Sequence, residues 1–114
     1  MANFEDVVRT CFQWYSVMYV EFIGTFIFIS VILQVAKLSY GAFAIGLTLA
    51  AMILFGGQLS GGHFNPAVTL ASYLNGGVDG SHAVLYAISQ CIAGALAVLF
   101  HQHVQVRRPV PQQQ

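Results

Sequence analysis

The sequence predicts an all-α membrane protein with three spanning helices and one shorter, re-entrant half-helix. Hydrophobic residues make up 57% of the 114 residues and charged residues only 7%. A chain with so few polar groups cannot cover a soluble surface, so the lipid bilayer is its expected solvent. Three apolar stretches are long enough to cross a bilayer. Between the second and third stretch, the polar run 60–69 introduces two glycines, a histidine and an Asn-Pro pair.

The chain divides into an apolar centre and two polar ends. Residues 1–13 are predicted to form a polar segment at the membrane surface, and residues 101–114 a polar, mobile tail. Spanning helices are predicted over residues 14–36, 41–57 and 82–100. Short connections make successive helices antiparallel. The sequence therefore predicts an integral, multi-pass membrane protein built from residues 14–100.

The half-helix is predicted from its two ends. Asn65 is a strong N-cap and Pro66 suits the first helical position, while the Asn-Gly-Gly run 75–77 stops the helix after Leu74. Such a helix is about 14 Å long, roughly half of a ~30 Å hydrocarbon core. Irregular backbone at membrane depth is tolerated where protein covers it or where it lines a water-filled cavity. The pattern therefore indicates a pore or a transport site.

Asn65 is the main candidate for contact with a solute. If its side-chain oxygen caps the half-helix, its NH₂ group points outward beside the positive end of the helix dipole. This arrangement favours the oxygen of a neutral solute and disfavours cations. Gly61, Gly62 and His63 are predicted to offer backbone carbonyls to the same passage. The alternatives are an ordinary N-cap in a loop, and a His63 side chain that bonds only to neighbouring backbone.

Two polar side chains within the predicted spans, Glu21 and Gln90, are assigned a structural role. Glu21 is expected to accept backbone N–H groups from the loop before Asn65; the alternative is a side chain that reaches the headgroups. Gln90 is expected to tie the third span to the half-helix or to the first span.

Other chemistry is disfavoured by the sequence. His101 and His103 form an i, i+2 pair that could bind a metal, but a solvated tail is the preferred interpretation. The sequence contains no nucleophile–base pair, phosphate cradle, cofactor motif or basic patch for nucleic acid. We therefore expect neither an enzyme nor a protein with a cofactor or a bound metal.

Three motifs resemble those of one membrane family. The run 60–69, Ser-Gly-Gly-His-Phe-Asn-Pro-Ala-Val-Thr, resembles the first Asn-Pro-Ala signature of the aquaporins, or major intrinsic proteins. The family's first-helix and third-helix motifs resemble two further sets of residues: Glu21, Gly24, Thr25 and Phe26, and Gln90, Gly94 and Ala95. The resemblance covers residues 14–100. It implies the first half of a six-helix inverted repeat, whose second Asn-Pro-Ala loop is absent from this sequence.

The resemblance implies a role for each matched residue. Asn65 would be one of two pore asparagines, with Pro66 and Ala67 opening its half-helix, and Glu21 would brace the loops. Ile45 matches the helix-two position of the family's narrow constriction, where an aliphatic side chain suggests relaxed selectivity. The family places its N-terminus in the cytoplasm. The charge count opposes this, since Lys37 and the Arg pair 107–108 lie across the membrane from Arg9.

The expected function is a channel component for passive transport of water and small neutral solutes such as glycerol or ammonia. Its pore would be complete only with a second, inverted half. That half would come from a second copy of this chain or from an aquaporin-like partner. The alternative is a truncated, non-conducting protein that binds full-length aquaporins through faces of small residues.

Overall fold

The computed structural model describes residues 1–107, and within this range every regular element is an α-helix. The helices are α1 (Phe4–Val35), α2 (Gly41–Ser60), α3 (Pro66–Leu74) and α4 (Gly80–Val106). The three longer helices, α1, α2 and α4, are each long and apolar enough to cross a membrane. The predicted fold class is therefore confirmed, with α3 as a separate short helix between two crossings.

Helix α1 begins ten residues earlier than predicted, at Phe4 rather than at residue 14. Asn3 caps it through a reciprocal capping box: Asn3 Oδ1 accepts the Asp6 N–H at 2.8 Å, and Asp6 Oδ2 accepts the Asn3 N–H at 3.3 Å. Such a box satisfies two backbone donors that a helix start leaves free. Most of the polar segment predicted for residues 1–13 is therefore the start of α1.

Two predicted C-terminal boundaries also move. Helix α4 continues to Val106, so the boundary predicted at residue 100 is corrected, and α2 ends at Ser60 rather than at residue 57. No glycine or proline lies between Gly94 and Pro109, so nothing in the sequence stops α4 where the polar residues begin. The rest of the predicted tail, residues 108–114, lies outside the described residues.

Helix α1 occupies the centre of the fold. It packs against α2 on one side and α4 on the other, while α3 packs against α4. The turn between α1 and α2 is tight at Gly41, where a Cβ atom would lie 2.1 Å from the carbonyl oxygen of Val35. Among the three long helices, α2 is the least covered, with Leu54 and Phe55 more than four-fifths exposed. The lightly covered α2 leaves an apolar face for lipid or protein.

Helix α3 has the predicted bounds. The Asn65 side-chain oxygen accepts the Ala67 N–H at 2.8 Å, and Pro66 takes the first helical position. At the other end, Gly76 adopts a left-handed φ of +76° and the Gly77 N–H donates to the Ser72 carbonyl at 2.8 Å. The loop 61–65 that leads to α3 contacts Glu21, which lies near the middle of α1.

Candidate pore site

The site is organised around Glu21, which is completely buried. Its Oε1 atom accepts the Ser60 hydroxyl at 2.6 Å and the His63 N–H at 3.0 Å. Its Oε2 atom accepts the Phe64 N–H at 2.7 Å and the Gln90 amide at 2.9 Å. A carboxylate has about four acceptor positions, and each meets a donor here. Glu21 therefore satisfies backbone donors in a loop that makes no helix of its own, the contact expected from its position in α1.

The loop backbone is left-handed at three positions. The φ angles are +92° at Gly61, +66° at Gly62 and +49° at Phe64. Glycine adopts such angles without a steric penalty, whereas a bulky residue does not. Phe64 must therefore be held in place by its surroundings.

The Phe64 ring fills a slot between two helices and is only 2% exposed. A Cβ atom at Gly24 on α1 would lie 2.2 Å from the ring, and one at Gly56 on α2 would lie 3.3 Å from it. The absence of a side chain at Gly24 leaves room for the ring, and Gly56 lets α2 approach it closely. The slot and the hydrogen bond to Glu21 together hold Phe64 and thus fix the direction of the chain into Asn65.

A second set of hydrogen bonds ties α3 and α4 to the loop. The Gln90 amide nitrogen donates to Thr69 Oγ1 at 2.9 Å as well as to Glu21, so Gln90 joins the first span to the half-helix. Thr69 Oγ1 also lies 3.0 Å from His63 Nδ1. The Tyr86 hydroxyl donates to the Ser60 carbonyl at 2.7 Å, where α2 ends. All helices contribute to this polar cluster.

Three members of the cluster have no role predicted from the sequence: Ser60, Thr69 and Tyr86. Singly they are ordinary membrane-helix residues. A spacing signal does exist, since Thr69 lies four residues after Asn65 and Tyr86 four residues before Gln90, and residues four apart share a helix face.

The predicted solute-facing residues lie at the surface of this cluster. Asn65, Pro66 and Ala67 are exposed, and so is Gly61, whereas Gly62 is buried and His63 half-buried. The Asn65 oxygen is engaged by the helix cap. Its NH₂ group donates to no other group within residues 1–107 and is available to an outside acceptor.

Ile45 is not part of the cluster. It lies half-buried near the start of α2, and the cluster meets α2 at its other end. The distance between Ile45 and Ser60 along the helix axis is about 22 Å at ~1.5 Å per residue.

A polar cavity of about 340 Å³ opens beside the loop. Ser60, Gly61 and His63 line it together with residues from the start of α4 and from α1. At its edge Asp79 caps α4 and bonds to the His82 ring, which stacks on Trp14 at a centroid distance of 3.9 Å. The backbone N–H of His82, and then its side chain, hold the pKa of Asp79 below its usual value of 3.8.

The described residues offer no metal centre. Within residues 1–107, no group of three or more His, Cys, Asp and Glu side chains is placed to hold a metal ion. The His101 and His103 pair lies on the last turns of α4. The chemistry available at the site is therefore hydrogen bonding by an amide, carbonyls and imidazole.

The fold and the site define an integral, multi-pass membrane protein in which a half-helix is held by a buried polar cluster. Residues 8–113 match the family described as Major intrinsic protein. The chain belongs to the major intrinsic protein family, whose members are channels and not enzymes.

Several curated relatives resemble this chain. Aquaporin Z of Photorhabdus laumondii is 40% identical over 88 residues, 68% of this chain and 38% of the relative. The Glycerol uptake facilitator protein-like 6 of Lactiplantibacillus plantarum is 42% identical over 84 residues, with the same shares of each chain. Aquaporin-8 of Rattus norvegicus is 35% identical over 103 residues, 84% of this chain and 36% of the relative. The chain thus spans less than two-fifths of these relatives. No solved structure matches it significantly.

Proposed function

We propose that this chain supplies one wall and one half-helix of a membrane pore that conducts water or small neutral solutes. The proposal rests on the contacts and the position of Asn65. Its oxygen caps α3, its NH₂ group is free, and its backbone follows a loop fixed by Glu21 and by the Phe64 slot. An amide donor at the positive end of a short helix suits the oxygen of a neutral solute and disfavours a cation.

The solute class follows from the same geometry and from the relatives. In this proposal the carbonyls of Gly61, Gly62 and His63 face the same passage as the Asn65 donor, so a solute that both donates and accepts hydrogen bonds can exchange partners along the path. Two relatives are named as an aquaporin and as a glycerol uptake facilitator. Water, glycerol and ammonia all meet this description. The aliphatic Ile45 in the matched constriction position favours relaxed selectivity among them.

One copy provides one half-helix and one wall, so a second half is needed to enclose this pore. In an inverted repeat, the site forms between two halves of opposite orientation. A partner half would cover the exposed faces of α2 and α3. Two copies inserted in the same direction would place both half-helices on one side, so a homodimeric pore requires opposite insertion. Topology mapping that finds one orientation in every molecule would exclude the homodimer and leave a separate partner.

The experiment is stopped-flow osmotic swelling of vesicles that contain only this chain. Asn65→Asp retains a carboxylate oxygen to cap α3 but removes the NH₂ donor, so the fold is preserved while the solute contact is lost. Asn75→Asp is the matched control, since Asn75 ends the same helix outside the cluster. We expect flux above that of empty vesicles, lost with Asn65→Asp and retained with Asn75→Asp.

Absence of flux would exclude a pore built from copies of this chain alone. If the chain also adds no flux in vesicles that contain a full-length aquaporin with which it co-purifies, it is a non-conducting binding protein. The uncovered apolar face of α2, including Leu47, Leu54 and Phe55, is the surface available for that contact.

A further inference from the structure

From Phe4 to Tyr19, α1 carries an apolar stripe that no part of residues 1–107 covers. Phe4 is 81% exposed and Phe12 is 77% exposed. The N-terminal stripe consists of Phe4, Val8, Cys11, Phe12, Tyr15 and Tyr19. These positions recur every three or four residues, the spacing of one helix face.

The opposite face of the same turns is polar. Asp6, Arg9, Thr10 and Gln13 share it, and Gln13 lines the polar cavity beside the loop. The first turns of α1 therefore have an apolar face and a polar face, and the polar face reaches the cavity at Gln13. A helix with two such faces lies at a boundary between water and an apolar phase.

The length of α1 indicates that the apolar phase is the lipid bilayer. Its 32 residues extend over about 48 Å at ~1.5 Å per residue. The hydrocarbon core is about 30 Å thick and each headgroup layer adds about 5–7 Å. An upright α1 would therefore raise Phe4 out of the headgroups into water. A tilted α1 keeps its first turns at the membrane surface, as long spanning helices commonly do.

We infer that the N-terminal stripe rests on the headgroup–acyl boundary of the bilayer and holds the start of α1 at the membrane surface. The stripe is continuous with the spanning part of α1 through Tyr15 and Tyr19, two aromatic residues suited to the headgroup level. The turns carry Glu5, Asp6 and Arg9, so they offer no excess of basic residues to anionic lipid. Binding therefore relies on apolar contact and not on lipid charge.

Spin-label accessibility tests this contact. Nitroxides are attached to the native Cys11 in a Cys91→Ala chain, and to position 9 in an Arg9→Cys, Cys11→Ala, Cys91→Ala chain. These two positions lie at nearly the same height along the helix axis, on opposite faces of α1. In phosphatidylcholine vesicles we expect a several-fold higher ratio of oxygen to nickel-chelate accessibility at position 11 than at position 9. The difference should be unchanged when an anionic lipid is added.

Two results would overturn the inference. Equal nickel accessibility at positions 9 and 11 would place the stripe in water. Shielding of position 11 from both reagents, with dipolar broadening between labels, would show that a second copy covers it. A second pair of labels, at Val8→Cys and Thr10→Cys in a Cys11→Ala, Cys91→Ala chain, repeats the comparison at other positions and shows whether one labelled variant has simply misfolded.

Discussion

The Oε2 atom of Glu21 accepts the backbone N–H of Phe64 at 2.7 Å, joining the middle of the first spanning helix to the loop before Asn65. This single contact connects three features of the molecule. It satisfies a backbone donor that no helix can satisfy, holds Phe64 at a left-handed φ of +49°, and determines where the half-helix begins. The buried carboxylate is thus the anchor of the proposed pore wall.

Replacing Glu21 with glutamine is expected to loosen the loop. The glutamine NH₂ group would face donors from the loop or from Gln90, leaving at least one buried group unpaired. We expect a loss of about 1–3 kcal/mol in the free energy of unfolding. Unfolding in mixed detergent micelles measures it, with the exposed Glu5→Gln as the matched control. Equal stability of the two variants would contradict the assigned role of Glu21.

If the Phe64 ring fills the space beside Gly24, a smaller side chain at position 64 should restore stability that a larger side chain at position 24 removes. Gly24→Ala would place a Cβ atom 2.2 Å from the Phe64 ring and should cost about 1–3 kcal/mol of stability. Gly46→Ala on α2 meets no atom within 4 Å and is the control, expected to be neutral or slightly stabilising. Adding Phe64→Leu to Gly24→Ala should recover part of the loss. Failure of any rescue would indicate that the ring does not determine the cost at Gly24.

Tyr86→Phe removes the hydroxyl that donates to the Ser60 carbonyl. Because the carbonyl is left without this donor at the buried end of α2, we expect a loss of about 1–3 kcal/mol. Amide hydrogen exchange should also become faster at Gly62 and His63, which follow Ser60. Tyr73→Phe, at an exposed position on α3, is the control and should leave both measurements unchanged.

Asp79, at the start of α4, is expected to contribute to folding stability in a pH-dependent way. Its pKa is lowered in the folded protein, chiefly by the backbone N–H of His82. A lowered pKa stabilises the folded state above the unfolded pKa of 3.8, and this contribution is lost as the pH falls through the folded value. Melting temperatures of the native chain and of Asp79→Asn, a cap that does not titrate, should therefore converge below about pH 4. A constant difference across that range would contradict the assignment.

The bounds of the half-helix could be predicted closely from the sequence because the signals at both of its ends are local. Asn65 and Pro66 define its start, and the Asn-Gly-Gly run 75–77 defines its end. The start of α1 lies ten residues before the predicted one because the polar composition of residues 1–13 indicates a surface segment and hides a local helix start. Asp6 forms a capping box with Asn3, which an Asn at one end and an Asp at the other can form.

The polar cluster was only partly predictable. Glu21 and Gln90 stand out because charged and amide side chains are rare in apolar spans. Ser60, Thr69 and Tyr86 do not, since each is common in membrane helices. The left-handed Phe64 depends on two glycines that are 32 residues apart and on a carboxylate from a third segment. Such a conformation is a tertiary effect that local spacing does not encode.

The central claim is that α3 enters and leaves the membrane on the same side. Pulsed electron–electron distances between nitroxides at Ser39, Asn75 and Gln105 test it within single molecules, whatever their orientation. A re-entrant α3 places Ser39 and Gln105 on one side and Asn75 on the other, so the Ser39–Asn75 distance should be about 30 Å or more and exceed the Ser39–Gln105 distance. A crossing α3 would reverse this order, with Ser39 and Asn75 on one side, and would contradict the account.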